Sequence, residues 1–406
     1  MIKDTVFQNA TLFPALDETV IDRGALWVRG AEIAFAGAQG RLPALPPEAE
    51  IVDAAGSFIM PGMTETHAHL SFADASPFAI GATPVEIATI TAVRNAELML
   101  TSGFTSAISF GSTYKIDVAL RDAINAGRIP GPRLLAAGRD LGATASNVDS
   151  PGGLSRIADG PWALRQAVRE QRRDQVDVVK IFIDGEAINP VNPPGELSFC
   201  DEEVAAVVDE AHRRGLRVAC HARSAAAVKQ AVRAGVDFIG HANYLDDEAV
   251  ALLAACNETV IVGPAIAWEV QYLAQCESLG VPRAVACAQG YQAEIEATVA
   301  SVEKLRNAGV RLVVGGDYGI SIAPHGTYAK DLEYFVELFG MRPAEALVCA
   351  TRNGGEAMDP AGSLGTLREG SCADFLVVDG DPLADIRILQ DRSRFRVFKG
   401  GQPAAA

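Results

Sequence analysis

Short runs of apolar residues alternate with longer amphipathic segments along most of the chain. The runs are rich in valine, isoleucine and phenylalanine, which is typical of strands buried on both faces of a parallel sheet. The segments between them, such as EEVAAVVDEAHRRG and EIEATVASVEKLRNAG, end in the glycine that commonly terminates a helix. Eight strands are predicted, at residues 58–70, 103–111, 132–141, 176–185, 216–224, 236–244, 259–267 and 310–319. This alternation predicts an α/β fold, and eight repeats indicate a (β/α)8 TIM barrel.

The two ends of the chain follow a different pattern. Residues 1–57 and 362–406 alternate apolar and polar positions between turn glycines, as in TVIDRGALWVRGAEIAFAG, and such alternation is typical of antiparallel strands. We predict that both ends pair into one small β-sandwich, beside a barrel domain at residues 58–361.

Composition narrows the classes of function. The chain has 406 residues, of which 49% are hydrophobic, and this is enough for one large core and one smaller core. The 51 acidic residues outnumber the 35 basic residues and give a formal net charge of −16, which disfavours nucleic acid or an anionic membrane as a partner. We expect a small-molecule substrate and a homo-oligomer.

The sequence gives no sign of export or of membrane insertion. The N-terminal segment MIKDTVFQNATLF has no basic stretch followed by an apolar stretch, and no apolar run approaches the roughly 18 residues of a membrane span. The seven cysteines are scattered and lack C-x-x-C spacing, so we expect reduced thiols rather than a disulfide frame. A cytoplasmic protein is therefore predicted.

A lysine stands in the middle of one predicted strand. Lys180 lies in VDVVKIFIDG, where nearly every other position is apolar. A buried ammonium group without a partner costs several kcal/mol or loses its proton, so packing does not explain this residue. A single lysine of this kind usually reaches past the end of its strand to water, but polar residues on other strands suggest a different role.

Polar residues also stand at the ends of other predicted strands, where a barrel carries its active site. They are His67, His69, His221, His241 and Asp317. In H-x-H spacing, the rings of His67 and His69 lie on one face of an extended strand and can ligate one ion. The set predicts a site for divalent ions, with Zn2+ expected and Mn2+ or Co2+ as alternatives. If Lys180 faces this site, its neutral amine can react with carbon dioxide and become a bridging carbamate ligand.

These residues lie in segments that resemble the amidohydrolase superfamily, and within it the imidazolonepropionase-like and prolidase-like amidohydrolases, over almost the whole chain. The segments are IMPGMTETHAHL, DVVKIF, VACHARS, FIGHANYLDDE, GGDYGI…PHGTYAKDLEYF and GSLGTLREGSCADFLVVDGDPLADI. The resemblance implies a binuclear centre in which His67, His69 and Asp317 hold the more buried ion. His221 and His241 would hold the more exposed ion, and N6-carboxylated Lys180 would join both ions.

The resemblance also implies a reaction. Metal-activated hydroxide would cleave a carbon–nitrogen bond of an amide, a carbamate or a urea. Asp317 is expected to accept the proton of the attacking water and to pass it to the leaving nitrogen. His241 is expected to steady the developing oxyanion.

The chain departs from the prolidase-like pattern after its second and third predicted strands. SAISFGST and ATASNVDS stand where that pattern has T-V-R-D and G-G-H-G-D, so an arginine and a histidine that would handle a peptide are absent. Together with aromatic residues in loops at the catalytic end, this favours a neutral apolar or aromatic substrate over a dipeptide. The predicted substrate contacts are His325, Tyr244, Tyr318, Trp268, Phe72 and Phe78.

Two other enzymatic functions and one non-enzymatic role stay open. An Xaa-Pro or N-acyl amino acid dipeptidase would use the same metal site. A mononuclear deaminase of a small heterocycle would carry a glutamate shortly after the histidine of the fifth strand, where this chain has Ser224. A scaffold that had lost its activity would also have lost metal ligands, whereas all six are present.

Overall fold

The computed structural model describes residues 4–149, 153–187 and 192–404, and these residues form an α/β protein. Its strands are β1 (Asp4–Leu12), β2 (Ile21–Arg29), β3 (Glu32–Ala38), β4 (Glu50–Asp53), β5 (Phe58–Pro61), β6 (Met63–Ala68), β7 (Phe104–Ser109), β8 (Arg133–Leu135), β9 (Asp140–Gly142), β10 (Ser155–Ile157), β11 (Val178–Phe182), β12 (Arg217–Ser224), β13 (Phe238–Tyr244), β14 (Ile261–Gly263), β15 (Phe375–Val378), β16 (Phe395–Lys399) and β17 (Gln402–Pro403). These strands belong to three sheets.

Helices separate most of the strands in the middle of the chain. They are α1 (Val85–Thr101), α2 (Ile116–Asn125), α3 (Pro161–Arg173), α4 (Asp201–His212), α5 (Ala225–Ala234), α6 (Asp247–Ala255), α7 (Ala267–Gln275), α8 (Arg283–Ala288), α9 (Tyr291–Asn307), α10 (Lys330–Glu337), α11 (Pro343–Val348) and α12 (Gly354–Met358). A single π-helical turn at Cys349–Asn353 joins the last two helices. In the part of the chain described here, no helix is long and apolar enough to cross a membrane.

The middle of the chain forms two sheets whose strands are parallel. One has six strands in the order β10-β9-β11-β12-β13-β14, and the other has three strands in the order β6-β7-β8. Helices α4, α5 and α6 each follow a strand and lead to the next strand of the larger sheet. All residues of β11 are buried, which accounts for its nearly continuous apolar sequence. These features confirm the predicted α/β class with parallel strands.

The last predicted strand, at residues 310–319, is irregular backbone. It keeps one parallel bridge, between Leu312 and Val262. Asp317 has φ 59° and Gly319 has φ 120°, and such angles do not occur in extended strands. The described strands therefore form two separate parallel sheets, and a closed eight-stranded barrel stays a prediction.

The segment predicted as one strand at residues 58–70 is two strands in different sheets. Gly62 separates β5 from β6, and its N–H donates to the carbonyl of Asp374 at 2.9 Å. A Cβ added at Gly62 would lie 2.1 Å from Oγ1 of Thr105, so no side chain fits there. The segment predicted as a strand at residues 132–141 is likewise divided, between β8 and β9.

Both ends of the chain meet in one eight-stranded sheet, in which β17-β16-β15-β5-β1-β2-β3 are neighbours and β4 pairs with β1. The ring centroid of Phe7 lies 5.4 Å from that of Phe375 and 5.5 Å from that of Phe398, in a separate apolar core. The pairing of the two ends of the chain agrees with the prediction from the sequence. The two-layered sandwich and the boundaries after residues 57 and 361 stay predictions.

Candidate metal centre and active site

The ends of several parallel strands meet at a cavity of about 200 Å³. Its wall includes five of the six predicted metal ligands, namely His67, His69, Lys180, His221 and Asp317. The sixth, His241, lies directly beside them, since its ring centroid is 5.0 Å from that of His67 and 4.3 Å from that of His221. The fold thus gathers all six residues from β6 and the residue that follows it, from β11, β12 and β13, and from the loop that contains Asp317.

The first group of donor atoms surrounds the carboxylate of Asp317. Oδ1 of Asp317 lies 3.1 Å from Nε2 of His69 and 3.7 Å from Nε2 of His67. Nδ1 of His69 donates to the carbonyl of Gly111 at 3.0 Å. This hydrogen bond leaves Nε2 of a neutral ring with its lone pair directed to the cavity, which is how metal-ligating histidines are usually held.

Two of the candidate ligands sit on unusual backbone. Asp317 has φ 59° and His241 has φ 82°, although neither is glycine. Such residues cost roughly 1–3 kcal/mol each and persist only where surrounding structure fixes them, which is common at active sites. Aspartate and histidine both occur at positive φ more often than most other residues, so each position is strained but accessible.

The second group of donor atoms lies around His221 and His241. Nδ1 of His221 is 3.6 Å from Oε1 of Glu186, and single donor atoms of these three residues all lie within 4.8 Å of one another. Both ring nitrogens of His241 are buried and lack a hydrogen-bond partner among the described residues. The neighbouring Gly240 permits this packing, because a Cβ there would lie 2.9 Å from Cε1 of His67.

Lys180 is almost fully buried in the wall of the cavity. Its exposed fraction is 1%, and Nζ lies 4.4 Å from the ring centroid of Phe110 and 5.4 Å from that of Phe182. Burial lowers the pKa of Lys180, although the nearby Asp140 carboxylate opposes this change. The surroundings therefore favour a neutral amine more than water does.

Burial also lowers the pKa of three of the candidate histidines. It holds the pKa of His67, His221 and His241 well below the ordinary range, so their rings are neutral and can offer lone pairs. Nδ1 of His67, like both ring nitrogens of His241, is buried and has no hydrogen-bond partner among the described residues. Burial of a polar atom without a partner is energetically unfavourable. Four imidazoles with carboxylate oxygens form a donor set suited to Zn2+ or a similar divalent ion, so the residues fit the expected metals.

A cluster of buried charges adjoins the second group. Nη1 of Arg223 donates to Glu269 at 2.8 Å and to Glu294 at 2.7 Å, while its Nη2 lies 2.6 Å from Oε2 of Glu186. Arg223, Glu269 and Glu294 are all buried. Three carboxylates therefore contact one guanidinium group, and the cluster has an excess of acidic groups.

The sequence pattern did not predict that several other polar residues line the cavity. They are Asp140, Asn147, Glu186 and Arg223. Burial raises the pKa of Asp140 to about 6 and that of Glu186 to about 8, against the attraction of Lys180 and Arg223 respectively. One signal was present in the sequence: Arg223 follows His221 by two residues on β12, so both side chains lie on one face of the strand.

The remainder of the cavity wall is mostly apolar. It consists of Phe72, Ile80, Val148, Leu154, Phe182, Trp268 and Ile320. Phe72 stacks on His69, with ring centroids 4.3 Å apart and planes 9° apart. Trp268 packs against Tyr272 at 5.9 Å between centroids. Among the predicted substrate contacts, Phe72 and Trp268 thus lie at the cavity.

The other predicted substrate contacts have different surroundings. Nδ1 of His325 is 2.7 Å from the hydroxyl of Tyr328, and the hydroxyl of Tyr318 donates to Asp331 at 2.9 Å. The described residues that line the cavity do not include His325, Tyr318 or Tyr244. The side chain of Phe78 lies outside the described part of the structure. For all four, a role in substrate binding stays a prediction.

Known proteins resemble this chain over nearly its full length. Ochratoxinase from Aspergillus niger is 28% identical over 432 residues, covering 98% of this chain and 86% of the relative. Its crystal structure has a TM-score of 0.87, with 27% identity and coverage of 99% of this chain and 95% of the other. Imidazolonepropionase from Agrobacterium fabrum (strain C58) is 26% identical over 97% of this chain and 94% of its own.

A solved Xaa-Pro dipeptidase with bound methionine in its active site has a similar fold. It superposes with a TM-score of 0.85 at 27% identity and covers 99% of both chains. The sequence pattern of the amidohydrolase family matches residues 58–404, which include every candidate metal ligand. The chain belongs to the amidohydrolase family and is a hydrolase that acts on carbon–nitrogen bonds.

Proposed function

We propose that the chain is a binuclear metal-dependent hydrolase of small, neutral, apolar or aromatic amides, carbamates or ureas. One observation carries this proposal: four histidines, one aspartate and one buried lysine converge at a cavity whose remaining wall is mostly apolar. Amidohydrolases are generally metal-dependent, which agrees with that set of side chains.

The two groups of donor atoms correspond to two ions. His67, His69 and Asp317 would hold one ion, and His221 and His241 would hold the other. Divalent ions supply Lewis acidity at such a site, which lowers the pKa of water and polarises a carbonyl oxygen. Zn2+ suits imidazole and carboxylate donors, and Mn2+ or Co2+ would suit the same residues.

Lys180 would join the two groups as a carbamate. The free electron pair of its neutral amine forms a nitrogen–carbon bond to carbon dioxide, and one proton is released to solvent. The product is an anionic group with two oxygens, which can reach both ions. The burial of Lys180 between Phe110 and Phe182 favours this reaction, because it favours the unprotonated amine.

Asp317 is the proposed general base and general acid. Its carboxylate faces the cavity beside His69, so it can accept a proton from the attacking water and donate that proton to the leaving nitrogen. His241 would steady the negative charge that develops on the carbonyl oxygen, since its ring nitrogens have no other partner among the described residues.

The charges of the wall favour a neutral substrate. The lysine and arginine side chains of the described wall are Lys180 and Arg223. Arg223 already contacts three carboxylates, and Lys180 is assigned to the metals, so neither is free to bind a substrate carboxylate. Phe72 and Trp268 offer apolar contacts instead.

An Xaa-Pro dipeptidase is the second candidate. It is favoured by the resemblance to the solved Xaa-Pro dipeptidase at 27% identity. The deaminase alternative has less support, because Ser224 stands where the deaminase glutamate would be and its hydroxyl accepts from the N–H of Ala227, as the N-cap of α5.

We also infer that the two parallel sheets are parts of one barrel. The alternation of strands and helices and the bridge between Leu312 and Val262 support this inference. In that arrangement the barrel domain spans residues 58–361, and the two terminal segments form the smaller domain.

A substrate panel tests the proposed function. Aryl amides, carbamates, phenylureas, N-acyl amino acids, Xaa-Pro dipeptides and ochratoxin would be assayed with chelator-treated enzyme and with enzyme reloaded with Zn2+, Mn2+ or Co2+. We expect activity to require metal and kcat/KM to be highest for a neutral aryl compound. Full activity after metal removal would contradict the metal assignment, whereas a preference for dipeptides would contradict only the substrate assignment.

A further inference from the structure

We propose that Glu186 is a ligand of the ion held by His221 and His241. The chain would thereby supply a carboxylate of its own to that ion, in addition to the carbamate of Lys180. This inference rests on the proposed function, because it requires that the second group of donor atoms binds metal.

The distance between Glu186 and His221 indicates a shared ion. Oε1 of Glu186 and Nδ1 of His221 are 3.6 Å apart, which is too long for a hydrogen bond. Two donor atoms that each lie about 2.1 Å from one five-coordinate ion, at angles of about 90–120°, are about 3.0–3.6 Å apart, and five-coordination leaves one position for water beside the four protein ligands. His241 completes the group, with donor atoms of all three residues within 4.8 Å of one another.

The second carboxylate oxygen of Glu186 is held in place by Arg223. Nη2 of Arg223 lies 2.6 Å from Oε2, so the guanidinium group orients Glu186 while Oε1 faces the histidines. Asp184 in turn accepts from the backbone N–H of Arg223 at 2.8 Å. Ligating carboxylates usually have such a hydrogen-bond donor on their other oxygen.

The backbone next to Glu186 is equally constrained. A Cβ added at Gly185 would lie 1.6 Å from the carbonyl oxygen of Asn192, so only glycine fits before Glu186. The N–H of Glu186 donates to the same carbonyl at 3.1 Å. The side chain therefore starts from a fixed point close to His221, as a metal ligand requires.

A role as counter-ion for Arg223 does not account for Glu186. Glu269 and Glu294 already contact Nη1 of Arg223 at 2.8 Å and 2.7 Å. Glu186 is the third acidic group in contact with this one guanidinium, so in its ionised form it needs a further cation to offset its charge. An ion between Glu186 and the histidines would supply that positive charge.

Removal of the charge of Glu186 tests the proposal. Metal-free parent and Glu186→Gln would be titrated with Co2+, with bound ions counted by mass spectrometry and ligation followed by visible absorbance. We expect the parent to bind two ions, whereas Glu186→Gln should bind its second ion at least about 10-fold more weakly with an altered spectrum. Thermal unfolding of both metal-free proteins checks that the substitution preserves the fold.

Glu269→Gln is the matched control, because Glu269 contacts the same guanidinium group but is not part of the donor group. It should bind two ions like the parent. Equal losses in both variants would overturn the proposal, since the effect would then act through Arg223. Parent-like binding by Glu186→Gln would also overturn it while leaving the proposed function intact. A parent that binds fewer than two ions would overturn the binuclear centre and this proposal together.

If Glu186→Gln does not fold, Glu186→Asp replaces it in the same titration. Aspartate keeps the negative charge beside Arg223 but is one methylene shorter, so its carboxylate is drawn away from His221. Weaker binding of the second ion is again expected, and parent-like binding would overturn the proposal.

Discussion

Nε2 of His69 and Oδ1 of Asp317 face each other at 3.1 Å, while Nδ1 of His69 donates to the carbonyl of Gly111. If this ring is neutral with its proton on Nδ1, Nε2 presents a lone pair to Asp317, and two facing acceptors are unfavourable without a cation beside them. A ring protonated at both nitrogens would instead donate from Nε2 to Asp317. The pair therefore fits the metal site that we propose, in which His67, His69 and Asp317 hold one ion.

Lys180→Ala should abolish most activity and reduce the number of bound ions. The substitution removes the amine that would form the bridging carbamate, and no other lysine lines the described cavity wall. Metal analysis and initial rates check this result. Short carboxylic acids added to the variant should restore part of the activity, because they can occupy the space of the carbamate. A variant with full turnover and unchanged metal content would contradict the role of Lys180.

Asp317→Asn should keep the fold while turnover falls by at least about 10²-fold, because the substitution removes the basic oxygen that transfers the proton. Asparagine adopts the left-handed backbone as readily as aspartate, so φ 59° at this position should not destabilise the variant. Circular dichroism and metal analysis would establish that fold and most of the metal are retained. Turnover equal to that of the parent would assign proton transfer to another group.

Trp268→Ala should raise KM for the best aryl substrate about 10-fold, since it removes an apolar contact worth about 1.4 kcal/mol, and it should leave kcat nearly unchanged. Trp162→Ala is the matched control, because Trp162 is 79% exposed on α3. Steady-state kinetics of both variants make the comparison. Equal KM values in the parent and Trp268→Ala would remove Trp268 from the substrate pocket.

Glu210→Gln should destabilise the protein at neutral pH through the contact between α3 and α4. Glu210 accepts from Arg169 at 2.9 Å and 3.1 Å and from Arg214 at 2.7 Å. Arg169 is the main cause that lowers the pKa of Glu210 from 4.5 to about 2. A lowered pKa in the folded state stabilises it above the unfolded pKa, and this contribution is lost as pH falls from about 4.5 toward 2.

Urea unfolding of the metal-free proteins would measure this effect. The free energy of unfolding should be about 1–2 kcal/mol lower for Glu210→Gln than for the parent at pH 7, with the difference narrowing below pH 4.5. Glu303→Gln, at an exposed position of α9, should match the parent throughout. A difference independent of pH would mean that Glu210 contributes through packing rather than charge.

The sequence predicted those features that repeat along the chain. Buried parallel strands need nearly continuous apolar runs, so β11, β12 and β13 could be recognised, and the polar residues at their ends identified the cavity. The prediction of a strand at residues 310–319 was wrong. The left-handed backbone at Asp317 interrupts it, and that conformation depends on neighbouring elements. The division at Gly62 depends equally on a distant contact, with Thr105.

The cluster of carboxylates around Arg223 could not be predicted from the local sequence pattern. Glu269 and Glu294 lie on α7 and α9, far along the chain from Arg223, and only the fold brings them together. Glu186 follows β11, the strand of Lys180, in a segment whose sequence is typical of a polar loop. The expected homo-oligomer and cytoplasmic location stay predictions, because neither depends on a pattern within one chain.

Anomalous diffraction from a crystal of zinc-loaded protein tests the binuclear centre most directly. We expect two peaks in the cavity, one beside His67, His69 and Asp317 and the other beside His221 and His241. We also expect continuous electron density beyond Nζ of Lys180 that bridges both peaks. A cavity without peaks in fully loaded crystals, or a single peak with an unmodified Lys180, would contradict the binuclear centre.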